Sequence, residues 1–183
     1  MGKIKGMALI PIVKALRSMH SDAVEAVPGE LRYFLSEKIF PSGWYSEDEL
    51  MVLLQCLVEL LPPRPDIWEW MGAFGAKENF SDIYASAIYP GRPELGLKRY
   101  PRIWRLYHDN GRVAVSFPEP GRSTIDISAY LVQRRDFCRL QAGHFQTLLE
   151  LAGARDVEVQ AVQIAAGSRP ARWRLRWKPP ERS

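Results

Sequence analysis

Apolar residues recur at helical spacing through the first half of the chain and at alternate positions through much of the second. From Ile10 to Met19 the stripe Ile12, Val13, Leu16 and Met19 predicts a helix. Pro11 falls in its first turn, where a missing N–H is harmless. A second, short helix is expected from Pro28 through Leu31, Phe34 and Leu35, broken by Pro41-Ser42-Gly43. The clearest helical signal covers 46–61. Ser46 and Glu49 make an S-x-x-E capping box, acidic residues fill the first turn, and Leu50, Leu53, Leu54, Leu57, Val58 and Leu61 follow at helical spacing. Pro62-Pro63 ends that run, and Trp44 and Tyr45 precede its cap where a hydrophobic staple belongs. Residues 66–89 read as more helix, weakened by Gly72 and Gly75 and stopped by Pro90-Gly91, and a further helix is expected over 93–101.

The period then shortens. Arg102 to Tyr107 and Val113 to Phe117, joined through Asp109-Asn110-Gly111, predict a β-hairpin, because Asn-Gly accepts the positive φ angles of a tight turn. Pro118 to Gly121 marks a second turn, and Ser123 to Ser128 a third strand with Ile125 and Ile127 on one face. A long helix is expected from Asp136 to Ala152, with Phe137, Leu140, Phe145, Leu148 and Leu149 in its stripe and Gly153 as its terminator. Val157 to Ala166 and Ala171 to Lys178 read as the last strands, around Gly167-Ser168. The fold class is therefore α+β: N-terminal helices packed on a C-terminal antiparallel sheet of about five strands, with a long helix between strands three and four, in a single domain over residues 1–183.

Composition narrows the function classes. Hydrophobic residues at 46% and charged residues at 25% suit a globular domain, and 6 Trp, 7 Tyr and 7 Phe need a core to bury them. Two cysteines, Cys56 and Cys138, make neither a disulfide framework nor a zinc site, and both are read as buried thiols. No apolar run approaches the roughly 18 residues of a membrane span, and no cleavable leader is visible, so a cytoplasmic protein is expected. The net charge of +4 is unevenly spread. Residues 1–93 hold 9 Lys and Arg against 12 Asp and Glu, whereas residues 94–183 hold 16 against 9. The basic excess belongs to the C-terminal half.

Several segments carry a resemblance: Lys5-Gly6, PSGWYSEDEL at 41–50, RYPRIWRLYHDNGRVAV at 99–115, FCRLQAGHFQTLLELAGARDVEV at 137–159 and GSRPARWRLRW at 167–177. In this order they resemble the haem-NO-binding / 4-vinyl-reductase superfamily, whose fold the small subunits of the TRAPP tethering complex share, and above all its small bacterial members of myxobacterial type. The resemblance implies a sensor or scaffold domain that often self-associates through its helices. It also implies departures. Metal-binding relatives carry Cys where Ile164 stands and near Ala171, with Asp where Ser168 stands, so no thiolate zinc site is expected. Haem-binding relatives carry a proximal His and a Tyr-x-Ser-x-Arg motif, whereas Tyr84-Ala85-Ser86-Ala87-Ile88 lacks the Arg. Neither cofactor is expected.

Two surfaces and one interior remain as candidates. Along 172–178, Trp173, Leu175 and Trp177 alternate with Arg172, Arg174, Arg176 and Lys178, which form a partner or anion surface unless Glu158 and Gln160 on the neighbouring strand pair with them. The helix over 46–61 could bury a partner or simply the core. Inside, the aromatic series with Trp68, Tyr84, Trp104 and His144 is either plain core or the lining of an apolar pocket. His144 leans toward the apolar stripe of its helix, and His108, just before the turn, is expected to be exposed. Carboxylates such as Glu47 and Asp48 belong to a helix start, and no nucleophile–base pattern or phosphate loop is present. The leading reading is a non-enzymatic regulatory or scaffold domain acting through protein contacts, including a homodimer. The alternative is a small-molecule sensor with an apolar pocket between helices and sheet. Nucleic-acid binding through the basic strand is the least supported, for no nucleic-acid motif accompanies it.

Overall fold

The computed structural model describes residues 2–81, 88–130, 134–164 and 170–180. A short strand, β1 (Lys3–Lys5), leads into helix α1 (Gly6–Ser18). After α2 (Ser21–Ala26), a 3-10 turn (Gly29–Leu31) and α3 (Tyr33–Ser36), strand β2 (Trp44–Ser46) pairs antiparallel with β1. Helix α4 (Glu47–Leu60) starts where the capping box places it: the Ser46 hydroxyl accepts from the backbone N–H groups of Asp48 at 3.2 Å and Glu49 at 3.5 Å. Helix α5 (Ile67–Ser81) follows.

Helix α6 (Pro93–Tyr107) overturns part of the sequence reading. The stretch Arg102–Tyr107, expected as a strand, is the second half of this helix, which runs through Pro101. Leu97, Tyr100, Ile103, Trp104 and Tyr107 are all buried at three- and four-residue spacing. Burying that stripe outweighs the roughly 3 kcal/mol or more that an interior proline costs. Asn110-Gly111 consequently joins a helix to a strand, not two strands, with Gly111 at φ +82°.

The main sheet has four antiparallel strands in the order β3 (Arg112–Ser116), β4 (Arg122–Ser128), β6 (Ala171–Lys178), β5 (Arg155–Gln163). The lost strand is the one converted to helix. The hairpin of β3 and β4 turns through 118–121, with Gly121 at φ +71°. The long helix α7 (Arg135–Leu151) stands between β4 and β5 in the chain and covers one face of the sheet. Ile125, Ile127, Trp173, Leu175 and Trp177 point into that layer and are buried. They join one continuous apolar core with Leu9, Leu16, Phe34, Leu53 and Leu57 of the helical half. Cys56 and Cys138 are both buried free thiols, and burial pushes Cys138 up to about 11. The predicted turn at 167–168 lies outside the described residues.

Candidate functional site

Helices α5 and α7 approach closely because glycine faces backbone on both sides. A Cβ on Gly143 would stand 1.8 Å from the Glu69 carbonyl oxygen, and one on Gly72 would stand 1.8 Å from that of Leu140. Arg139 of α7 ties the pair with a fork to the Glu69 carboxylate, at 2.7 Å to each oxygen. This contact sets the position of His144, one residue beyond Gly143.

Between α1, α4, α5, α6 and α7 lies a cavity of about 100 Å³. Leu50, Met51 and Leu54 come from α4, Met71 and Phe74 from α5, and Leu140 and His144 from α7. Tyr100, Ile103, Trp104 and Tyr107 come from α6, on the residues first read as strand. Of the residues proposed from sequence as a lining, Trp104 and His144 reach the cavity; Trp68 is buried elsewhere in the core, and Tyr84 lies outside the described residues.

At one end of the cavity sits a buried polar cluster. Glu47, the first residue of α4, is 1% exposed. Its Oε1 faces Nδ1 of His108 at 2.5 Å, and its Oε2 accepts from the Asn110 side-chain amide at 2.9 Å. Burial, with the same carboxylate adding to it, holds the Tyr130 hydroxyl well above its usual range. His108 is 8% exposed, which corrects the expectation of an exposed side chain. Burial pushes its imidazole below the ordinary value, against the pull of Glu47. Its ring stacks on Trp104 at 3.7 Å between centroids, and the Trp104 indole N–H donates to the Asn110 carbonyl at 2.8 Å. Gly111 is needed here twice over, since a Cβ would press on Trp104 and Tyr130.

His144 also stands in the wall. Its Nε2 is buried and has no hydrogen-bond partner among the described residues. Desolvation, with a small addition from His108, pushes the imidazole down to about 4. The side chain nevertheless keeps some accessible surface. That surface belongs to other atoms of the residue, since Nε2 itself is closed off. Phe80 and Tyr100 flank it at 5.3 and 5.8 Å between centroids. Tyr100 itself is satisfied, donating to Oε1 of Gln141 at 3.1 Å.

A haem does not fit this arrangement. Pockets for much smaller, drug-sized ligands hold about 300–1,000 Å³, several times the volume here. Among the described residues that line the cavity there is no Lys or Arg to receive the propionates, and Glu47 would repel them. Nor do the described residues bring three His, Cys, Asp or Glu side chains together as a metal site.

The basic face of β6 proves largely neutralised. Arg172 forks onto Asp126 at 2.7 and 2.8 Å, Arg176 meets Glu158 at 2.6 Å, and Lys178 meets Asp156 at 2.6 Å. Arg174 stands between Thr124 and Gln160 across the ladder. Ile164 is 44% exposed and Ala171 is buried.

No protein-family model matches this chain, and neither does any curated protein. Solved structures do. An oxygen-binding H-NOX domain related to soluble guanylate cyclases aligns over 96% of this chain and 96% of its own, with TM-score 0.70 and 17% identity. A Cs H-NOX mutant with an unnatural 4-cyano-L-phenylalanine aligns over 96% and 97%, with TM-score 0.72 and 16% identity. A point mutant of T. tengcongensis H-NOX gives 0.70 and 16%, over 96% of this chain and 98% of that one. Over almost its whole length, this chain has the fold of the haem-NO-binding H-NOX domains.

Proposed function

We propose that the chain is a non-enzymatic small-molecule sensor domain whose ligand enters the cavity between α4, α5, α6 and α7 directly, without haem. The observation that carries this reading is the cavity itself, walled by apolar and aromatic side chains such as Met71, Tyr100, Trp104 and Tyr107. The H-NOX fold supports sensing over scaffolding, since one solved neighbour is described as an oxygen-binding domain related to soluble guanylate cyclases. The wider kinship with 4-vinyl-reductase and TRAPP-type domains rests on the sequence segments alone.

The proposal carries with it a single cytoplasmic domain. No helix among the described residues is long and apolar enough to cross a membrane. Protein contacts, including self-association, would then serve as output and not as the primary activity. Native mass spectrometry of the purified protein, followed by thermal-shift screening with small neutral compounds, tests the reading. A bound small mass or a ligand-dependent rise in Tm is expected. A stoichiometric haem, or the absence of both bound mass and thermal shift, overturns it.

A further inference from the structure

Cations of the second half also gather on α6. The helix buries Leu97, Tyr100, Ile103, Trp104 and Tyr107 and turns Lys98, Arg99, Arg102 and Arg105 to solvent. Its one acid, Glu94, lies in the first turn, where it complements the helix dipole. Steps of four and three residues lead from Leu95 to Arg99, Arg102 and Leu106, so these share one face, with Lys98 and Arg105 beside it. Leu106 is 48% exposed and Leu95 half-buried. The face, about three turns long, therefore combines basic side chains with an apolar strip.

Unlike Arg172, Arg176 and Lys178 on β6, these cations form no ion pair among the described residues. Asp109, just past the end of the helix, accepts instead from the Lys3 backbone N–H at 2.7 Å and the Asn110 side chain at 3.0 Å. Lys98 lies over the Phe117 ring at 5.5 Å and Arg99 over the Tyr89 ring at 4.7 Å. The rings hold both cations in place and leave their charge unneutralised.

We propose that the solvent face of α6 docks an acidic amphipathic helix of a partner protein, its carboxylates on Lys98, Arg99, Arg102 and Arg105 and its apolar residues on Leu95 and Leu106. A nucleic acid gains less from this face. So few phosphate contacts bind weakly at physiological salt, and a phosphate backbone leaves Leu106 in water. Phe117 and Tyr89, rings on which bases could stack, already lie under cations. An acidic amphipathic helix answers both the charge and the leucines. The opposite face of α6 walls the cavity at Tyr100, Ile103, Trp104 and Tyr107, so the partner sits about one helix diameter, roughly 10 Å, from the cavity. The docking surface itself does not depend on the cavity holding a ligand.

The test uses a fluorescein-labelled synthetic helical peptide, with Leu at three- and four-residue spacing and Glu between, in anisotropy titrations with the intact protein at low salt. Arg102→Glu should weaken binding about fivefold, whereas Arg174→Glu, the same charge change on β6, should leave it unchanged. A peptide of equal charge with Ser in place of Leu should bind several-fold more weakly. If Arg102→Glu does not fold, Arg102→Gln is read the same way with a smaller loss. Equal losses from the α6 and β6 variants, or no binding of the peptide, overturn the proposal. So does tighter binding of duplex DNA than of the peptide, or a dimer of this chain that Arg102→Glu dissociates, since either gives the face a different occupant. None of these outcomes bears on whether the cavity binds a small molecule.

Discussion

His144 is where residue identity and burial conflict most openly. Its pKa is held at about 4 in the folded protein, against about 6.5 in an unfolded chain. The folded-state value is depressed, so the unfolded state binds the proton first as pH falls. The contribution is intact above about pH 6.5 and is lost progressively toward pH 4, by roughly 3 kcal/mol in total. His108 adds to the same trend, because burial depresses it too. Urea denaturation of wild-type and His144→Leu protein between pH 7 and 4 isolates the His144 share. The variant's stability should decline less over that window, and parallel curves would refute the assignment. Part of this was readable in the sequence: His144 lies on the apolar stripe of a long helix, and its burial follows from the spacing. His108 was not, because the carboxylate that draws it inside belongs to Glu47, 61 positions away. A capping residue that also serves as a buried acceptor looks the same, in sequence, as one that only starts a helix.

Among elements, α4 was the most legible, since a capping box, an acidic first turn and a terminal Pro-Pro all agreed with its period. Helix α6 was misjudged because Pro101 and Asn110-Gly111 both signal breaks, while the buried faces of Ile103, Trp104 and Tyr107 depend on a core that sequence does not display. The small strands β1 and β2, three residues each, carried no period long enough to detect. The α5–α7 contact was hidden for a different reason. Gly72 reads as a helix weakener, yet it is what lets the two backbones meet. Replacing Gly143 by Ala should therefore destabilise the protein by at least about 2 kcal/mol, the scale of overpacking in a well-filled core, although Ala is the better helix former. Thermal unfolding measures this. A rise in Tm would mean that the helices part at little cost.

At the scale of the whole molecule, the charge asymmetry along the chain meets carboxylates on the described face of β6. The antiparallel register of β6 with β4 and β5 sets Asp126 and Glu158 opposite arginines, and Asp156 reaches Lys178. Cations held by neighbouring carboxylates release few counterions when a polyanion approaches. Heparin retention should be weak and vanish at moderate salt, about 0.2 M. Elution near 1 M would revive a nucleic-acid role.

The cavity also has a mechanical consequence. Space inside a folded protein disappears when the chain unfolds and water surrounds every group, so the unfolded state is the smaller one. With about 100 Å³ of such space in one place, unfolding should shrink the system by tens of mL/mol, and hydrostatic pressure should denature the protein readily. Whatever fills the cavity removes that volume difference. High-pressure tryptophan fluorescence, recorded with and without a compound identified by the thermal-shift screen, should show the midpoint pressure rising on saturation, so compressibility would report occupancy.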